Sequence, residues 1–266
     1  MDYLSLCAIV KDENEYLPEW LEYHKLLGVD RFYIYDNGSA VPIRKTLERD
    51  IASGEVIVFD FPGKAMQTEA YLNCAQRLRG VCNWIGFIDV DEFICLKRGE
   101  DLRKFMQQFM VYGGLAINWQ TFGPAGHQTR QNGLQIENFP MRGPVNFDWN
   151  QHVKTIARPE CINFFPNCHY AAYLAGWMAV NERGTPVPEA FGLPISVDAI
   201  QVNHYFTRSR EEYLEKMSRG AGDGTSKKML FYDLIEKECS SVRDEAILKY
   251  SDRVRKALAE RGKDGA

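Results

Sequence analysis

An α/β fold built on a mainly parallel central sheet flanked by helices is predicted by three observations. Between residues 3 and 119, short apolar runs alternate with stretches of helical period, as expected of strands joined by crossover helices. These runs end in turns rich in Asn, Gly and Pro. One of them, Trp84-Ile-Gly-Phe-Ile88, stops at Asp89, Asp91 and Glu92, and open α/β sheets gather their ligand groups just past the carboxyl ends of strands.

Tyr3 to Val10 reads as the first strand. From Asn14 to Leu27 a helix follows, with Leu17, Trp20, Leu21, His24 and Leu27 on one face. Arg31 to Tyr35 is a second strand, closed by the turn composition Asp36-Asn37-Gly38-Ser39. Val56 to Phe61 is a third, ending at Pro62-Gly63, and Lys64 to Arg79 returns as a helix before the Trp84 strand. Right-handed crossovers then place Asp36, Asp89 and Asp91 on one sheet edge. Asp101 to Met110 suits a short helix and Gly114 to Trp119 another strand, leading into the Gly123-Pro-Ala-Gly126 loop. Residues 120–205 are rich in Asn, Pro, Gly and aromatics, with strands expected at Gln151 to Ala157 and Ala199 to His204; this irregular half suits specificity loops. Helices return over Ser209 to Arg219 and Met229 to Glu260, with Gly220-Ala-Gly-Asp-Gly224 as a hinge between them. The division expected is one domain over 1–220, with halves 1–119 and 120–220, and a C-terminal helical extension over 221–266.

With 45% apolar residues among 266, the chain has ample material for a core. Its net charge of −4 and lack of a Lys/Arg block argue against broad nucleic-acid binding. No stretch of eighteen apolar residues and no basic leader is found, so a soluble protein is expected. Seven cysteines without paired spacing suit reduced thiols in the cytoplasm. His152, Cys161, Cys168 and His169 offer zinc-ligand types at a spacing unlike known zinc motifs, so packed thiols are expected there.

Asp89 and Asp91, one residue apart, offer hard oxygen ligands for Mg²⁺ or Mn²⁺, which keep open positions for a substrate diphosphate. A solvated acidic turn is the plainer alternative. Several blocks in order add to this signal: Val10-Lys11-Asp12-Glu13 with Leu17-Pro-Glu-Trp20 and Tyr23-His24; Tyr35-Asp36-Asn37-Gly38-Ser39; Gln67 with Ala70-Tyr71 and Asn73-Cys74; and Trp84 to Phe93. Trp119 with Phe122-Gly123 and His127, Val153-Lys154 with Arg158-Pro159-Glu160, and His204-Tyr205 with Ser209 to Gly220 complete the series. Over roughly residues 3–220 the chain thereby resembles nucleotide-sugar glycosyltransferases of the GT-A fold, in the family 92-like and related family 2 group. Asp12 stands where that group has Asn.

The resemblance implies transfer of a sugar from a nucleotide diphosphate donor, UDP by default, to a glycan or lipid-linked saccharide acceptor, with inversion. It implies a cytoplasmic enzyme of surface-glycan synthesis, working at the inner face of the membrane if the acceptor is lipid-linked. By the same resemblance, Asp91 is the direct ligand of Mn²⁺ or Mg²⁺, His204 completes that site, and Asp89 contacts sugar or ribose beside the ion. Lys11, Glu13, Asp36, Asn37 and Gln67 are expected to bind the nucleotide. Asp36 and Asn37 equally suit a plain Asx turn, and His204 a core histidine. Trp119, Gly123 and His127 are expected beside the sugar or acceptor, an aromatic face suiting a pyranose. Glu137 is the expected general base, with Asp148 and Glu92 as rivals. The C-terminal helices either cover the sheet or make peripheral membrane contact. A nucleotidyltransferase would add a Gly-rich basic loop after the first strand, where Lys11-Asp12-Glu13 stands instead. A non-catalytic glycan-binding protein on the same fold is separated from an enzyme by donor turnover.

Overall fold

The computed structural model describes residues 2–220, 224 and 228–263. Strand β1 (Asp2–Val10) leads into helix α1 (Leu17–Leu26), strand β2 (Arg31–Asp36), short helices α2 (Ile43–Thr46) and α3 (Glu48–Ala52), strand β3 (Val56–Asp60) and helix α4 (Gln67–Leu78). Strands β4 (Cys82–Phe87) and β5 (Glu92–Leu96) flank the acidic turn. Helix α5 (Leu102–Met106) precedes β6 (Gly114–Thr121), α6 (Gln135–Asn138), β7 (Met141–Arg142) and β8 (Val153–Ala157). Short strands β9 (Ile162–Phe164), β10 (Ala172–Tyr173), β11 (Ala179–Val180) and β12 (Pro186–Val187) come before β13 (Ile200–His204). Helix α7 (Arg210–Arg219), helix α8 (Met229–Glu238), strand β14 (Val242–Arg243) and helix α9 (Ser251–Lys263) follow.

The two faces of the sheet are legible in β1. Leu4, Leu6, Ala8 and Val10 enter one core with Leu17, Trp20 and Leu21 of α1, while Cys7 and Ile9 enter the other with Ala70, Tyr71 and Cys74 of α4. Side chains alternate across a strand, so a run apolar at every position is covered on both faces. In β2 the same alternation sends Phe32 and Ile34 to one side and Tyr33 and Tyr35 to the other. Gly86 in β4 leaves room for its cross-strand neighbour on β1, since a Cβ there would stand 2.6 Å from Leu6 Cδ2.

The ten-stranded sheet runs β12-β11-β6-β8-β4-β1-β2-β3, with β13 joining β6 in parallel and β5 antiparallel. Strands β4, β1, β2 and β3 are all parallel. Their carboxyl ends, at Phe87, Val10, Asp36 and Asp60, therefore share one edge. Strand β8 is antiparallel to both β4 and β6, so the sheet becomes mixed beyond the first half.

Past the acidic turn, Glu92 opens β5, whose apolar run pairs with β13. One sequence expectation needs revision. The stretch from Met229 to Glu260 is not continuously helical, because α8 stops at Glu238 and Val242–Arg243 pairs with β7. Cys239, Ser240, Ser241 and Val242 are all weak helix formers, which accounts for the break. Helix α9 then packs back on α1, where Arg261 reaches Glu22 and Asp50 at 2.8 and 2.6 Å. Of the expected glycine hinge only Gly220 and Gly224 belong to the described residues, both with positive φ; residues 221–223 lie outside them.

Candidate active site

At the shared carboxyl edge lies a cleft of about 460 Å³. Its floor is formed by Lys11 and Glu13 after β1, Asn37 after β2, Lys64 after β3, and Asp89 and Asp91 after β4. Lys216 and Arg219, one helical turn apart on α7, form one wall, and Trp119, His169, His204 and Phe206 another. A smaller hollow of about 270 Å³ lies across the Lys216–Arg219 wall. The acidic pair lines only the larger space.

Asp89 is held from three sides. Gln67 Nε2 and Tyr71 Oη donate to its Oδ1 at 2.7 and 3.2 Å, and Lys154 Nζ donates to Oδ2 at 2.8 Å. Lys154 arrives because β8 runs antiparallel to β4 with Thr155 opposite Phe87, which sets the preceding residue beside the acidic turn. It also pairs with Glu92 at 3.3 Å, and both of those side chains are buried. Burial works against the Lys154 charge, but Asp89 and Glu92 outweigh it and hold the amine well above its ordinary pKa. Burial pushes the Glu92 carboxyl well up, against the pull of Lys154. Glu92 Oε2 accepts the Asp89 amide at 2.8 Å, which fixes the turn.

Asp91 faces different partners. The register sets His204 opposite Glu92, and the Tyr205 amide donates to the Asp91 carbonyl at 2.8 Å, so His204 stands beside the Asp91 carboxylate. His204 Nε2 is 3.7 Å from Asp91 Oδ2, beyond hydrogen-bond length. Lys216 donates to that same oxygen and to the Phe206 carbonyl, the latter at 2.9 Å. Burial raises the Asp91 pKa, but Lys216 and His204 override it and keep the carboxyl well below the usual range. Burial lowers His204, Asp91 opposes, and Lys216 and Lys154 add to the lowering, so the imidazole is neutral at pH 7 with a lone pair to offer.

Neutral imidazole and carboxylate suit Mn²⁺ or Mg²⁺, and a 3.7 Å separation is within the span of two ligands on one ion. Among the described residues no three His, Cys, Asp or Glu side chains converge on a point. Asp91 and His204 therefore fit a two-ligand site completed by phosphate and water, as Mg²⁺ commonly accepts. Both oxygens of Asp89 already carry hydrogen bonds, so it fits the supporting role better than direct ligation.

Glu13, on the floor of the cleft, is held by two arginines. Arg208 Nη1 donates to it at 2.8 Å and Arg219 also pairs with it. Burial raises its pKa, but Arg208, Arg219 and Lys216 bring it below the ordinary value. Helix α7 carries Lys216 and Arg219, and Arg208 precedes its N-terminal capping box, in which Ser209 and Glu212 satisfy each other's backbone amides.

The structure brings together Lys11, Glu13, Asn37, Gln67, Asp89, Asp91, Trp119 and His204. It leaves others apart. Asp36 accepts the Ser39 and Ile43 amides at 2.9 and 3.0 Å, so the carboxylate is spent on the turn after β2 and does not line the cleft. Asn37 lines it only while tied to the Phe61 and Gly63 carbonyls. Gly123 packs against Cys239, where a Cβ would stand 2.7 Å from the carbonyl oxygen, which is a packing role. His127 Nε2 donates to the Asn138 carbonyl at 3.0 Å, away from the cleft lining. Glu137, on α6, pairs with Arg255 of α9, and Asp148 is exposed in a 3₁₀ turn; neither lines the cleft, so neither is placed as the base. Glu92 is sealed beneath Asp89. Lys154 and Lys216 carry no role in the sequence reading. A lysine inside the apolar strand run Val-Lys-Thr-Ile-Ala is a signal for the first, and its place on the buried face of α7 for the second.

Residues 3–255 match the family model described as glycosyltransferase family 92. The chain is similar to a glycosyltransferase family 92 protein of Ricinus communis, 28% identical over 81% of this chain and 37% of that one. It is similar to another of Arabidopsis thaliana, 39% identical over 60% of this chain and 29% of that one. A galactan beta-1,4-galactosyltransferase of Arabidopsis thaliana is 34% identical over 36% of this chain and 21% of its own length. The chain thus spans little more than a third, at most, of these relatives. Among solved structures, glucosyl-3-phosphoglycerate synthase from Mycobacterium tuberculosis is 14% identical over 60% of this chain and 58% of that one, with a TM-score of 0.35, an overlap too slight to carry function.

Proposed function

The chain belongs to glycosyltransferase family 92, and we propose that it moves a sugar from a nucleoside diphosphate donor, UDP first, to a glycan or lipid-linked saccharide hydroxyl with inversion. One observation carries this reading: Asp89 and Asp91 share a single cleft with Lys11, Lys64, Lys216 and Arg219 at the carboxyl edge of the parallel strands. Four cations against three acids, Glu13 being the third, suit a diphosphate better than a neutral ligand, because charge gathers on its oxygens as the glycosidic bond breaks. Asp91 and His204 are the residues that would hold Mn²⁺ or Mg²⁺. When bound, that ion supplies Lewis-acid compensation for the leaving diphosphate. Lys216, within reach of Asp91, adds a fixed positive charge from α7, and Asp89, steadied by Gln67, Tyr71 and Lys154, is presented to the ribose or sugar.

The similarity to a galactan beta-1,4-galactosyltransferase makes UDP-galactose the first donor to try. Seven cysteines without a disulfide support a reducing compartment, and we place the protein in the cytoplasm. Among the described residues no helix is long and apolar enough to cross a membrane. Incubation with Mn²⁺, UDP-galactose and galacto-oligosaccharides tests the proposal. An elongated product with release of UDP, abolished by EDTA, is expected. Neither transfer nor UDP release from UDP-galactose, UDP-glucose or UDP-arabinose would overturn it.

A further inference from the structure

The two cations that α7 sends into the cleft are both paired with acids of its floor. Lys216 donates to Asp91 Oδ2, and Arg219 pairs with Glu13. The pairs differ in what remains when the cation leaves. Glu13 would keep Arg208, whose Nη1 stands at 2.8 Å. Asp91 would keep no cation within hydrogen-bond reach among the described residues, because His204 Nε2 stands 3.7 Å from the same oxygen. Asp91 is 8% exposed and Lys216 7%, so water offers either one little compensation. Breaking such a pair from one side strands a buried charge, and each member therefore leaves only for another partner of opposite sign.

Asp91 Oδ2 is also the oxygen that faces His204, so an ion shared by those two residues comes to the atom that Lys216 already holds. Two cations on one carboxylate oxygen repel, and the more strongly where solvent is scarce. Lys216 then has to change partners. Its ammonium rides on a flexible four-carbon stem. One of its protons already goes to the Phe206 carbonyl at 2.9 Å, a neutral group that cannot balance the charge. Lys216 lines the cleft together with Lys11, Lys64 and Arg219, a setting that suits an anionic guest. A diphosphate held there is the anion that Lys216 takes in exchange for Asp91.

Resting on the transferase reading, we propose that Lys216 is a resident counter-ion that occupies the metal's oxygen on Asp91 and passes to the donor diphosphate when the metal binds, so that entry of the two is coupled. The exchange keeps the buried charges paired at both ends: Asp91 with Lys216 before, and Asp91 with the ion and Lys216 with a phosphate oxygen after. Lys216 is a positioning residue in this scheme. It weakens metal binding when nucleotide is absent and ceases to do so when nucleotide is present.

Calorimetric titration of Mn²⁺ into the wild type and Lys216→Met, each with and without UDP, tests the exchange. Without UDP, Lys216→Met should bind Mn²⁺ about tenfold or more tightly than the wild type, the scale of an ordinary coupling between sites. The factor by which UDP improves Mn²⁺ binding should shrink in the variant to a similar extent. A lysine that served only the fold or the phosphate would give no such gain, so an unchanged or weakened Mn²⁺ affinity in Lys216→Met overturns the proposal. A second measurement uses the wild type and does not depend on how the variant folds. Acetylation of Lys216 by acetic anhydride, read by peptide mass spectrometry against the exposed Lys104 of α5, should accelerate on saturation with Mn²⁺ alone and slow again when UDP is added. Labelling of Lys216 that ignores Mn²⁺ overturns the exchange. A wild type that binds no UDP, with or without Mn²⁺, removes the transferase reading itself, an outcome that the arms without UDP keep separate.

Discussion

Lys154 holds Asp89 at 2.8 Å and Glu92 at 3.3 Å from a side chain only 1% exposed, so removing it strands two acids at the floor of the cleft. Replacing it with Met should cost about 3–5 kcal/mol, the scale for breaking a buried pair from one side. Urea denaturation measures this; a loss below about 1 kcal/mol would mean that water or Gln67 already satisfies Asp89. At this scale the position of the acidic pair was legible, just past a mostly apolar strand run. For Asp36 the sequence left two readings open. An Asx turn and a ribose ligand have one composition, and only the Ser39 and Ile43 amides on its oxygens separate them. Glu137 was beyond reach, since the partner that claims it, Arg255, lies on another helix far along the chain.

Helix α1 reaches across the molecule through Glu19. This buried carboxyl accepts the Gln135 and Ile136 amides at 2.7 and 3.1 Å, capping the first turn of α6 from outside. Burial raises its pKa from 4.5 to about 7, the two amides opposing. Because the folded value lies above the unfolded one, the group's contribution to stability is fully present below about pH 4.5 and is lost as the pH rises toward 7. Wild type measured against Glu19→Gln should accordingly lose stability across that window; a flat difference between the two would contradict the buried, raised carboxyl. Elements of this size were largely readable, since α1, α4 and the long strands carry clean periodicity. Strands β9 to β12 span two or three residues each, too short for any period to show.

Across the whole molecule, the C-terminal helix is tied to the first half by charge. Arg261 of α9 bonds both oxygens of Asp50 at 2.7 and 2.6 Å, and Lys25 shares that carboxylate at 2.9 Å. Arg261→Met leaves Asp50 with Lys25 alone, so its cost should fall below the ~3–5 kcal/mol of a fully stripped buried pair. Thermal unfolding should shift by a few degrees with a single transition; a second transition would show α9 melting by itself. The parallel half of the sheet followed from alternation alone, whereas the antiparallel insertion of β8 depends on pairing between distant segments that no local pattern records. That insertion nevertheless brings Lys154 to the acids, as β13 brings His204. The central claim is that this edge of the sheet binds a nucleoside diphosphate with the help of Asp91. Calorimetry of UDP with and without Mn²⁺, on the wild type and Asp91→Asn, tests it most directly. Binding strengthened at least tenfold by Mn²⁺ in the wild type, and deaf to Mn²⁺ in Asp91→Asn, is the predicted result; no UDP binding under either condition, or an unaltered Mn²⁺ response in the variant, would contradict it.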